Sequence, residues 1–93
     1  MEITYDLAKN SKNITERDLP FSRVADFQWN TATFKEDERK VYPERRFVAL
    51  GYLGNRLHVL CFSETELGIR VISFRKANKR EEKEYEKVIS TNQ

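Results

Sequence analysis

From Thr31 onward the apolar residues stop recurring every third or fourth position and gather into short runs. "TATF", "RRFVALGYL", "RLHVLCFS" and "GIRVISF" are β-branched or aromatic stretches bounded by "GN" and "ETELG", a pattern that predicts four strands joined by short turns. "LGNR" supplies Gly54 and Asn55, which accept positive φ, so the middle two strands are expected as a tight antiparallel hairpin. Val59, Leu60, Cys61 and Phe62 are apolar in succession, which predicts a sheet covered on both faces over part of its area. Ahead of these runs, "EITY" reads as a short strand. Asp6 is placed to cap a helix over "LAKNSKNITER", in which Leu7, Ser11 and Ile14 share one side and Lys9, Asn13 and Arg17 form a polar row on another. Phe21, Val24 and Phe27 stand three apart behind Pro20 and predict a short second helix. At the other end, Asn78 and Glu81 form a capping-box pattern, and Tyr85, Val88 and Ile89 give a narrow apolar stripe, so the last helix is expected to be amphipathic and thinly anchored.

Composition narrows this picture. The chain has 93 residues, enough for one domain with one modest core, and residues 1–93 are read as that domain. Its formal charge is only +2, with 17 Lys and Arg against 15 Asp and Glu, so overall charge gives no argument for nucleic acid and any basic site must be local. A single cysteine, Cys61, excludes an intramolecular disulfide and a cysteine-built zinc site. Residues 1–20 lack the apolar run of a secretory signal, and no stretch approaches membrane-spanning length. The expectation is a soluble, cytoplasmic protein with no membrane association.

Local basic chemistry is present. Glu44 and Arg46 lie two apart on a predicted strand, hence on one face, with Arg45 on the other. Arg70 sits within an apolar run, where its charge needs a carboxylate, a phosphate or solvent. Ser73 and Arg75 are expected on the face opposite Arg70, and Lys76 opens the passage to the last helix. Arginine grips phosphate in a bidentate manner. Each feature also has a plainer account. Glu44 with Arg46 is an ordinary cross-strand ion pair, and Lys79, Arg80, Lys83 and Lys87 alternate with glutamates as a solvated helix face does. His58 and Cys61 fit a packed strand, and Phe21, Phe27 and Trp29 fit the core. No phosphate loop, dinucleotide fingerprint, zinc signature or nucleophile elbow occurs, and no cofactor is expected.

The segments "YDLAKNSKNITERDLPF", "ERRFVALGYLGNRLHVLCFS" and "IRVISFRKANKREEKEYEK" resemble, in order and separation, the BrnT family of toxins from bacterial type II toxin–antitoxin pairs. Asp6, Lys9 and Asn13 match the family's opening pattern. Glu44 and Arg46 match its Glu-x-Arg, and Arg70, Ser73, Arg75, Lys76 and Ala77 match its Arg-x-x-Ser-x-Arg-Lys-Ala run. Glu81 and Tyr85 fall at family positions of the last helix. Many members carry Lys-His-Gly after the first helix, where this chain has Glu16, Arg17 and Asp18, and an arginine cannot replace a titrating histidine.

The resemblance implies an α+β, RelE-like fold with two N-terminal helices, an antiparallel sheet and a C-terminal helix. It also implies an endoribonuclease that inhibits translation without a metal. The residues assigned to catalysis are Arg46, Arg70 and Arg75 for phosphate and transition-state charge, Lys9 as a further cation, and Glu44 as a base or as the group orienting Arg46. Lys76, Asn13, Arg17 and Ser73 are assigned to RNA binding. The implied partners are a cognate BrnA-like antitoxin and RNA, with DNA engaged only through the antitoxin complex. Two other classes use the same residues: a non-catalytic RNA- or ribosome-binding module, and a structural, partner-binding protein in which Arg70 has an internal carboxylate partner.

Overall fold

The computed structural model describes residues 1–91. Its elements are β1 (Glu2–Tyr5), α1 (Leu7–Arg17), a 3-10 helix (Phe21–Asp26), a single 3-10 turn (Trp29–Thr31), β2 (Thr33–Glu36), β3 (Arg46–Leu53), β4 (Arg56–Glu64), β5 (Gly68–Lys76) and α2 (Lys79–Thr91). The fold is α+β, around one five-stranded sheet in the order β1-β5-β4-β3-β2. β2 to β5 pair antiparallel as expected, but β1 lies parallel to β5, pairing Glu2 with Gly68 and Tyr5 with Val71, so the sheet is mixed. Running parallel sends the chain out at Tyr5 beside the middle of β5, and α1 continues along the edge that β1 leaves open. The β3–β4 hairpin closes at Leu53 and Arg56, with Gly54 at φ +63°, the conformation a two-residue primed turn asks of its first central residue. No helix among the described residues is long and apolar enough to cross a membrane.

Directly paired residues point to the same face, so the register sorts the sheet. One face carries Ala49, Leu60, Phe62, Ile69, Val71 and Phe74, which pack with Leu19, Phe21, Val24 and Phe27 into the larger core. The other carries Val48, Leu50, Tyr52, Leu57, Val59 and Ala77, covered by Tyr85 and Ile89 of α2. The apolar run in β4 thus reflects cover on both faces. The alternation in β5 breaks at Ile72: Phe62 pairs with Val71 and Cys61 with Ser73, leaving Ile72 as the extra residue of a bulge. A bulge adds one residue to the count, so Arg70, Ser73 and Arg75 share the α2 face. The expected opposition of Arg70 to Ser73 and Arg75 does not hold, because the extra residue interrupts the strict alternation of faces at Ile72.

α1 is turned differently from its apolar spacing. Leu7 is 75% exposed and Ile14 40%, while Asn13 is 3% exposed. Its amide donates to the Leu19 carbonyl at 2.8 Å and to the Phe74 carbonyl at 2.9 Å. The helix lies on an open strand edge, whose exposed groups are backbone carbonyls and amides, so a carboxamide suits the contact better than leucine. Asn10 adds a bond from the Phe21 amide, and α1 stops at Asp18 in the left-handed region (φ 52°), whose N–H donates to Ile14 O. The predicted second helix is a 3-10 helix. Phe21, Val24 and Phe27 at a strict interval of three line one side of a helix with three residues per turn. Gly51 admits the Phe27 ring: a Cβ there would sit 2.5 Å from Phe27 Cζ.

α2 begins with the predicted capping box. The Glu81 amide donates to Asn78 Oδ1 and the Asn78 amide to Glu81 Oε1, both at 2.9 Å. Tyr85 is its one buried residue; the ring meets Tyr52 edge-on and the hydroxyl donates to Thr31 O at 2.7 Å. Loss of the Asn13 bridge is expected to cost more than any exposed α1 side chain: Asn13→Ala orphans two backbone carbonyls and lowers stability by about 2 kcal/mol, whereas Leu7→Ala is near neutral. Urea denaturation of the two variants checks this.

Candidate functional site

α2 covers only one end of its face. Toward the other end, Thr4, Arg70, Ser63 and Arg46 stand in register across β1, β5, β4 and β3. A hollow of about 160 Å³ opens over this row, lined by Lys9, Tyr42, Glu44, Arg46, Ser63 and Arg70 among others. Lys9 arrives from the first turn of α1, held by the Asp6 cap, whose carboxylate accepts from the Lys9 amide at 2.9 Å. That bond keeps the Asp6 carboxyl below its ordinary range, with Lys9 and Arg70 adding in the same direction. Arg70 is exposed, so of the carboxylate, phosphate or solvent that its charge requires, solvent is what meets it here. Among the described residues no carboxylate lies within ion-pair distance of Arg70, Arg46 or Lys9. Glu44 precedes β3 and does not pair with Arg46, yet both line the hollow. The site therefore holds two guanidinium groups, one ammonium and one carboxylate within a space the size of a small oxyanion.

The segment between β2 and β3 sets one wall. Asp37 is 7% exposed and accepts from Arg39 Nε and Nη2, both at 2.9 Å, and from the Tyr42 hydroxyl at 3.1 Å. Its amide donates to the Arg46 carbonyl at 2.7 Å. The Asp37 carboxyl is held far below its ordinary range, chiefly by Arg39. This knot brings the Tyr42 ring under Arg46, whose Cζ lies 4.0 Å from the ring centroid. A cation stacked on an aromatic face keeps its outward N–H groups free to donate. Asp37 and Tyr42 carry little mark in the sequence, where they are only a carboxylate and a phenol amid an otherwise solvated run.

The remaining assigned residues lie elsewhere. Arg75 shares the face of Arg70 but is clamped by Glu81, with Nη1 and Nη2 each 2.8 Å from a carboxylate oxygen, so the expected meeting of three arginines is a meeting of two. Ser73 is half-buried, opposite Cys61. Asn13 is committed to the fold. Arg17 donates to Asn13 Oδ1 at 2.7 Å and, with Arg75 and Lys76, lines a separate hollow of about 550 Å³. Arg45 pairs with Glu36 at 2.8 Å on the other face. His58 is 4% exposed and donates through Nδ1 to Arg56 O at 2.8 Å; burial holds the ring's pKa below its ordinary value. Burial likewise pushes the Cys61 thiol up. Among the described residues no group of three His, Cys, Asp or Glu side chains is placed to hold a metal ion.

The family described as "Ribonuclease toxin, BrnT, of type II toxin-antitoxin system" matches residues 5–81. Comparison with curated proteins gives no match.

Glu81 carries the acid sensitivity expected at the α2 end. Arg75, then the Asn78 amide, hold its carboxyl below the ordinary value of 4.5. A depressed folded pKa gives stability that is complete above the unfolded value and is lost as pH falls. Stability should therefore decline from about pH 4.5 downward, and Glu81→Gln should remove part of that decline while lowering stability at neutral pH. Denaturant midpoints of both proteins between pH 3 and 7 measure it.

Proposed function

Because the chain belongs to the BrnT family of ribonuclease toxins of type II toxin–antitoxin systems, we propose that it is an endoribonuclease whose working site is the Arg46–Arg70 hollow. The observation that carries this reading is the convergence of two guanidinium groups and Lys9, none neutralised by an acid among the described residues, around one carboxylate. Cations packed together without partners repel one another, and a polyanion relieves that repulsion.

In the proposed reaction the ribose 2′-oxygen attacks the adjacent phosphorus. The 2′-O–P bond forms, the P–O5′ bond breaks, and the products are a 2′,3′-cyclic phosphate and a free 5′-hydroxyl. Glu44 takes the 2′-hydroxyl proton, and water returns one to the leaving oxygen. Arg46 and Arg70 receive the non-bridging oxygens as charge builds on the phosphorane, with Lys9 as a third cation; such preorganised stabilisation is often the largest contribution to rate. Tyr42 keeps the Arg46 plane facing the hollow. With Glu44 as base, Arg17 at the family's histidine position is no obstacle. Arg75 acts at one remove, by fixing α2. The cations supply the charge stabilisation a metal ion would give, so cleavage proceeds without one.

The same reading places the protein in the cytoplasm, where cutting RNA arrests translation, and in a RelE-like arrangement that superposition on a RelE-type ribonuclease tests. Its antitoxin is taken to be BrnA-like, to cover the hollow with acidic groups, and to carry the pair's DNA contacts. Arg46→Ala and Arg70→Ala are each expected to lower RNA cleavage by the purified protein about 100-fold, with circular dichroism unchanged and no loss of wild-type activity in EDTA. Wild-type cleavage in both variants removes this site. Mixing with the cognate antitoxin should abolish cleavage, and Arg70→Ala should weaken that complex.

A further inference from the structure

The polar row of α1 does not end at the first hollow. Lys9 lines that hollow, and Arg17, eight residues on and about 12 Å further along the axis, lines the second, which is more than three times as large. Arg17, Arg23, Arg75, Lys76, His58 and Asp18 stand around it. The charges are unevenly answered. Arg75 is spent on Glu81. Arg17 gives only Nη1 to Asn13, keeping its other donors. Arg23 has a loose contact with Asp26 at 3.5 Å, both side chains more than half exposed, and Lys76 has no ion pair among the described residues. Asp18 is the one acid among the described residues that line it, placed there by the left-handed end of α1.

The deepest polar group is His58. Its Nδ1–H is taken by Arg56 O and its ring rests 5.3 Å from Phe74; Nε2, which in that tautomer bears a lone pair and accepts, has no hydrogen-bond partner among the described residues and reaches solvent in the hollow. Three incompletely answered cations face two acceptors, the Asp18 carboxylate and the His58 Nε2 lone pair, so the hollow carries a surplus of positive charge and of N–H donors. Such a surplus suits an oxyanion held by the cations.

We propose that this hollow is a second binding site for a backbone phosphate of RNA, held by Arg17, Arg23 and Lys76, with His58 lining the floor beside it. The RNA part of this statement rests on the function proposed above; the phosphate site does not. A strand laid along α1 would place one phosphate on Arg46 and Arg70 and another here, the helix acting as the ruler between them. The two sites lie at opposite ends of β5, so the strand passes over the edge that α1 covers.

His58 is the only histidine, so its imidazole proton resonances report this hollow alone. Titrating the wild-type protein with inorganic phosphate should shift them saturably. A short RNA oligomer should do so at much lower concentration, and an Arg17→Ser/Lys76→Ser double variant should weaken both titrations at least tenfold. In the same variant the slope of log RNA affinity against log salt should fall by about 0.7, the change for one lost single-strand phosphate. Arg70→Ala should leave the phosphate titration unchanged, even if it abolishes cleavage. The absence of any saturable shift in the wild type overturns the site, as does a double variant that is folded and titrates normally. Shifts with phosphate but none with RNA overturn the RNA assignment. Failure of the Arg46 and Arg70 variants to affect cleavage removes the first site and leaves this titration as it stands.

Discussion

The two amide hydrogens of Asn13 hold α1 to the carbonyls of Leu19 and Phe74, and most of the basic geometry descends from that contact. β1 pairs with β5 only as far as Val71, and beyond it the strand edge would be bare. Asn13 closes the edge and fixes the helix in rotation and along its length. Lys9, one turn before, is thereby carried to Arg70, and Arg17, one turn after, to Lys76. The cost of pinning a polar side chain in the interior is offset because both partners are backbone groups that otherwise lack one. Leu7 and Ile14 are left facing outward as the geometric remainder of that choice.

The elements were legible where local pattern and tertiary cover agree. The hairpin at Gly54, the doubly covered β4 and the Asn78–Glu81 box all follow from spacing and turn chemistry that no distant contact modifies. The bulge at Ile72 was not legible: one unpaired residue leaves no mark in a run that is apolar before and after it, yet it moves Ser73 and Arg75 to the other side. The orientation of α1 was hidden for a related reason. Periodicity shows which side chains are apolar, but here the helix docks on backbone. The role of Asp37 is hidden in the sequence because its three partners, Arg39, Tyr42 and the Arg46 carbonyl, are brought together by a loop. Of the residues chosen for chemistry, Arg46, Arg70, Lys9 and Glu44 share one hollow, and Arg17, Arg75 and Lys76 share another.

The molecule treats its arginines in two ways. Arg39, Arg45, Arg56 and Arg75 each meet a carboxylate at 2.8 to 2.9 Å, and these pairs fasten the β2–β3 connection and α2 to the sheet. Arg46 stacks on Tyr42 and Arg70 stands in solvent. A fold selected only for stability gains nothing by gathering such groups beside Lys9. Departures from local consistency of this kind concentrate where a protein meets a ligand.

The pairing of β1 with β5 also governs when the protein becomes whole. Glu2 finds its partner only at Gly68, and the first hollow needs Lys9 from one end of the chain and Arg70 from the other. Contacts this distant along the sequence form late, since they bear the entropy of closing nearly the entire loop. During synthesis the emerging polypeptide would thus stay without its basic cradle until the final strand has left the ribosome, and a prematurely terminated product would never acquire it.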